Sequence, residues 1–118
     1  MEKLIILLVC LQLKHFFVDF ILQTEEMVVS KGIYMDALGI IHSLQHALCT
    51  LVIVTFVANS FVIGVACAFI DYILHYHIDF VKVRFGSRDV TAKAFWAHLG
   101  LDQMAHQLTY LLIAYAIL

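Results

Sequence analysis

From Ala37 to Ile70 the chain carries no Asp, Glu, Lys or Arg, and Asn59-Ser60 is the only polar break suited to a turn. A helix rises about 1.5 Å per residue, so each side of that break can cross the roughly 30 Å hydrocarbon core of a bilayer. Lipid leaves no water to satisfy backbone polar groups, so such a run must be helical. Two antiparallel helices joined at Asn59-Ser60 are therefore the expected centre of the fold.

The rest of the composition agrees. The 118 residues are 64% hydrophobic and only 14% charged, and the mean hydropathy is +0.97. This is the balance of one integral membrane domain rather than a soluble one. A net charge of -2 argues against a nucleic-acid partner. Cys10, Cys49 and Cys67 stand in apolar runs without Cys-x-x-Cys spacing and read as buried thiols. The apolar run Leu4 to Leu13 is followed by no small-residue cleavage site, so it reads as a membrane helix.

Four helices are expected, at about 3–23, 36–58, 61–81 and 94–118. Together they predict an all-α, up-down-up-down four-helix bundle in the membrane. The stretch 24–36 reads as an exposed connection or short interfacial segment, and 82–93 as a loop. Trp96 suits an interfacial anchor. Gly64, Ala66 and Ala68 permit close helix packing.

Each helix carries an i,i+4 polar pair: His15 with Asp19, His42 with His46, Asp71 with His75, and Asp102 with His106. Such spacing puts both donors on one helix face. The pairs fall late in the first and third helices and early in the second and fourth. Alternating helices bring them to one depth, roughly 5 to 18 Å below one surface. Ionisable groups inside a membrane are costly and usually functional. A single pair would be a helix-helix hydrogen-bonding group, but four at one depth predict a metal centre.

Imidazole and carboxylate donors without thiolate suit zinc first, with manganese or iron as alternatives. This many donors implies two or more ions, with some residues orienting others. Asp79, four residues beyond His75, is the candidate general base, with an outer ligand or a partner of Lys82 as the other readings. His77 points off the ligand stripe, and His98 lies near the surface. Gln23, Gln45 and Gln103 read as supporting groups, and Lys14 as snorkelling.

Lys31, Lys82, Arg84, Arg88 and Lys93 lie on one side and only Lys3 on the other. The positive-inside rule makes the basic loops cytoplasmic and both termini external.

The segments H-F-F-V-D-F-I-L-Q-T from His15, H-S-L-Q-H from His42, D-Y-I-L-H-Y-H-I-D-F-V-K from Asp71 and F-W-A-H-L-G-L-D-Q-M-A-H from Phe95 resemble a family of small bacterial and phage membrane proteins, domain of unknown function 3307. More distantly the pattern is similar to YdjM-like predicted membrane-bound metal-dependent hydrolases, and to the helical zinc phospholipase C and P1 nuclease group. The first resemblance implies where the functional residues lie, in a multi-pass protein of the bacterial inner membrane. The others imply hydrolysis of a lipid or other phosphate-containing ester. Rival readings are a di-iron-type redox enzyme, or a metal or proton transporter or sensor, for which a homo-oligomer would supply the room that one small bundle lacks.

Overall fold

The computed structural model describes residues 1–117, and every regular element among them is helical. Helix α1, Glu2–Phe16, continues without a break into one wide π-helical turn, Phe17–Leu22. The short α2, Glu25–Lys31, follows, then α3, Ala37–Ala58, α4, Phe61–Phe85, and α5, Lys93–Ile117. Helix α3 packs against α4 and α1, and α5 closes against both α4 and α1, while α2 lies across α3 and α4. The molecule is 43 Å long, comparable to a bilayer of about 40–45 Å including head groups.

Local chemistry sets the helix ends. The Asp36 carboxylate accepts from the Leu38 amide at 3.2 Å, and the Ser60 hydroxyl from the Ile63 amide at 3.4 Å. Both use a side-chain oxygen to satisfy an orphan amide in a first turn. Asn59 ends α3 in the left-handed region, φ 51°, which Asn tolerates better than most residues. At the hairpin, a Cβ on Gly64 would collide with Thr55 Oγ1 and approach Leu51 O, so close contact of α3 and α4 requires glycine there. Of its two small companions, Ala68 is buried and Ala66 exposed.

Both connections are more ordered than open loops. The segment after residue 23, expected as an exposed connection or a short interfacial segment, forms the short α2. Thr24 caps α2 through the Met27 amide at 3.3 Å, and Ser30 and Lys31 are buried. Helix α4 runs on to Phe85, which places Lys82 and Arg84 on a helix. Its added turn finds apolar partners: Phe85 meets Phe80 at 6.2 Å between ring centroids, and Val83 approaches Gly32. The true loop starts at Gly86. There Thr91 donates amide and hydroxyl hydrogen bonds to Asp89, at 2.9 and 2.7 Å, which hold that carboxyl below the usual carboxylate range.

The interior is divided by depth. Leu7, Leu11, Val54, Cys67, Tyr110, Ile113 and Ala114 form an apolar core towards the Asn59-Ser60 end. Towards the other end most buried residues are polar, His, Asp, Lys, Ser and Thr, with Val18, Ala47 and Tyr76 among them. The outer surface is apolar: Phe56 and Tyr115 are each 82% exposed. Polar inside and apolar outside is the pattern of a chain whose solvent is lipid. Three helical stretches are long and apolar enough to cross a membrane: Glu2–Leu22, Ala37–Ala58 and Phe61–Phe85. Helix α5 was expected to be a fourth. It has the length, but it is not among them, because Asp102, Gln103, His106, Gln107 and Thr109 dilute its apolar character.

Candidate metal centre

Four elements deliver the polar side chains. Asp19 sits on the π-helical turn, which ends at Leu22 and so leaves its last carbonyls without an intrahelical partner. One of these, Asp19 O, accepts instead from Gln23 Nε2 at 3.0 Å. His42 and His46 share a face in the first turns of α3. His75 and Asp79 do the same late in α4, and His106 projects from α5. All are buried, His42, His46 and His75 completely.

Their donor atoms form two groups that share His75: Asp19, His42, His46 and His75, then His75, Asp79 and His106, with the atoms of each within 4.8 Å of one another. Asp19 Oδ1 lies 2.9 Å from His42 Nε2, 3.3 Å from His46 Nε2 and 3.9 Å from His75 Nε2. His42 Nε2 and His75 Nε2 face each other at 3.3 Å. On the other side, Asp79 Oδ2 is 3.2 Å from His75 Nε2 and 3.5 Å from His42 Nε2, and Asp79 Oδ1 is 3.8 Å from His106 Nε2.

These spacings fit a small cation. Tetrahedral ligands at about 2.0–2.1 Å from zinc are themselves about 3.3 Å apart. Among the described residues, the Nε2 atoms of His46 and His106 are buried without a hydrogen bond, while Asp19 Oδ1 and Asp79 Oδ2 meet only ion-pair contacts from Lys31 and the histidines. Orphaned polar atoms converging on one space call for a shared partner. The buried His and Asp groups could therefore hold a metal ion, although the donor set does not identify it.

A second layer orients these donors. His15 Nε2 lies 3.2 Å from Asp19 Oδ2, on the side of the carboxylate away from the other histidines. His15 is itself held by Tyr110 OH at 2.8 Å and Gln103 Oε1 at 3.0 Å. His106 Nδ1 donates to Asp102 O at 2.9 Å, which turns Nε2 inward. Backbone and side-chain partners of this kind set the tautomer of a ligating imidazole. Asp102 Oδ1 is 3.8 Å from His106 Nδ1 and has no hydrogen bond.

Lys31 enters the same space from α2. Its ammonium is 2.8 Å from Asp79 Oδ2 and 3.6 Å from Asp19 Oδ1, and it also donates to Gln23 Oε1. At 6% exposure it is an internal counter-charge to both acids.

Of the expected ligands, Asp19, His42, His46, His75 and His106 are brought together, and Asp79 joins them among the donors. His15 and Asp102 stand one layer out. Asp71 is elsewhere: its Oδ2 lies 2.5 Å from Lys14 Nζ and accepts from Thr50 Oγ1 at 2.6 Å. Lys14 does not snorkel as expected. It is 6% exposed, reaches His46 O at 3.4 Å and lies over the Tyr110 ring at 4.9 Å, because Asp71 supplies a partner at the same depth. His77 is exposed and bonds to Ile73 O, while His98 Nδ1 accepts from the Ser87 amide at 2.9 Å. Gln103 supports His15, and Gln23 supports Lys31. The roles of Lys31 and Tyr110 had no visible signal, since one lies in a segment read as a connection and the other on an apolar helix face.

Residues 6–118 match the family described as Protein of unknown function (DUF3307). The chain belongs to the DUF3307 family. This bears out the resemblance carried by the His15, His42, Asp71 and Phe95 segments, and the match goes no further than DUF3307. No curated protein and no solved structure matches the chain.

Proposed function

We propose that this DUF3307 protein is a metal-dependent hydrolase of phosphoesters, built as an up-down-up-down four-helix bundle in the bacterial inner membrane with its basic loops in the cytoplasm. The observation that carries the reading is the convergence of Asp19, His42, His46, His75, Asp79 and His106 at ligand-like separations in a buried layer. Their nitrogen and oxygen donors suit zinc, manganese or iron, and two groups sharing one histidine suit a pair of ions.

Bound metal would lower the pKa of a water towards neutrality and offset charge developing on a phosphoryl group. The chain's own residues supply the rest. Asp79 offers Oδ2 to His42 and His75 and Oδ1 towards His106, and so stands between the two groups. That occupies the residue first considered as the general base. Asp102, with a free buried Oδ1 on the small polar cavity that also touches Asp19, Asp79 and Lys31, is better placed to accept the proton of an attacking water. Lys31 limits repulsion between the acids and presents a cation to an anionic substrate.

Metal analysis after purification without chelator tests the centre. Wild type should hold stoichiometric metal, and His46→Ala and His75→Ala should each lose most of it while Ser87→Ala keeps it. Metal absent from wild type, or unchanged in both histidine variants, would sink the reading. Stoichiometric iron with a redox-sensitive absorption band would replace the hydrolase with a redox enzyme.

A further inference from the structure

The small polar cavity beside the centre, about 100 Å³, is lined by Asp19, Gln23, Lys31, Asp79, Lys82 and Asp102 among others. At Lys82 and Asp102 it adjoins a larger space of about 530 Å³ between α4 and α5. This volume is within the range of about 300–1,000 Å³ usual for small-molecule sites. Its lining is mostly apolar, with Ile78, Val81, Phe85, Leu101 and Ala105 beside His77 and His98.

Lys82 is the joint between the spaces. It also lines a third cavity, of about 280 Å³, together with Arg88. Lys14 and Lys31 each have a carboxylate partner, whereas Lys82 forms no ion pair among the described residues. An ammonium without an ion pair at the end of an apolar groove, with Asp102 as its acidic neighbour on the lining, can receive a molecule with an anionic head and a hydrocarbon tail. The extra turn of α4 to Phe85 creates the arrangement, since Phe85 walls the groove one turn beyond Val81 and Lys82.

We propose that the α4/α5 groove binds an anionic phospholipid, with its phosphate at Lys82 and an acyl chain along Ile78, Val81, Leu101 and Ala105. This rests on the hydrolase reading and names the substrate class of that centre. A lipid would enter this groove sideways from the bilayer. Its head group reaches the polar cavity where Asp102 and Lys31 wait.

The test uses full-length protein in phosphatidylcholine nanodiscs, with phosphatidic acid carrying a photoactivatable acyl chain as probe and diacylglycerol of the same chains as control. Labelled residues are mapped by mass spectrometry, and metal content is measured in each sample. Phosphatidic acid should label α4 and α5 about tenfold more than diacylglycerol, the worth of one charge-assisted contact. Lys82→Gln should remove that preference. Leu101→Trp, on an exposed position, should block labelling with either probe. Both variants should keep wild-type metal.

Equal labelling by the two lipids, or labelling untouched by both substitutions, would overturn the proposal and leave the metal centre standing. Competition by glycerol 3-phosphate as effective as by unlabelled phosphatidic acid would also overturn it, in favour of a soluble phosphate ester. Loss of metal from wild type would strike the hydrolase reading instead, and the labelling pattern would still decide for or against the lipid groove.

Discussion

Lys14 and Asp71 show what one residue's neighbour can decide. Each is costly alone in a membrane interior, and together they make a buried pair at 2.5 Å with Thr50 as a further donor. Removing one partner strands the other charge, so Asp71→Asn is expected to destabilise the fold by about 3–5 kcal/mol. The double change Lys14→Met with Asp71→Leu is expected to cost less than Asp71→Asn alone. Unfolding measured in detergent checks both. Metal content separates the two roles of Asp71: folded Asp71→Asn protein should retain its metal, and a loss comparable to that in His46→Ala would return Asp71 to the ligands. The i,i+4 spacing of Asp71 and His75 was plain in the sequence. It could not say which would meet Lys14, because Lys14 lies on another helix and its reach depends on how α1 and α4 are rotated.

At the scale of elements, the α3/α4 hairpin depends on two residues. Gly64→Val would push its side chain into Thr55 and Leu51, and overpacking of this kind costs about 1–3 kcal/mol. Asn59→Val would force a β-branched residue into the left-handed region, at about 1–2 kcal/mol. Asn59→Gly should be near neutral. Thermal unfolding of the three variants tests the ranking, and equal stability of all three would count against this account of the turn. The hairpin and its polar break were legible because apolar runs are local signals. The π-helical turn under Asp19 and the burial of Ser30 and Lys31 at the end of α2 were not. Both follow from tertiary demands: Asp19 must face the histidines of α3, and Lys31 is held inside by Asp79 and Asp19, far away in sequence.

For the whole molecule, the division into apolar and polar halves links stability to metal and orientation to charge. A cation that binds only the folded centre adds about 2.7 kcal/mol at a free concentration one hundred times its Kd. Chelation should therefore lower the unfolding temperature of wild type markedly and that of His46→Ala little. An equal fall in both would mean that the chelator acts elsewhere. Orientation is checked with single cysteines in a background in which Cys10, Cys49 and Cys67 are replaced. A thiol reagent confined to the outside of intact cells should label Ser60→Cys, and Ser87→Cys only after the membrane is opened. The reverse pattern would place the basic loops outside.

The sequence by itself determined that this chain is helical, that its long uncharged runs suit lipid, and that His and Asp pairs lie at matching depths. These are properties of residues near one another along the chain, where helical period and hydrophobicity act directly. Only the tertiary structure decided which of those pairs meet. Helix rotation, the π-helical turn and the inward lysines assign Asp79 to the donor cluster, pair Asp71 with Lys14, and leave Lys82 without an ion pair among the described residues, at the mouth of an apolar groove. Charges in a low-dielectric interior are governed by whichever opposite charge packs nearest, and that partner comes from a different helix.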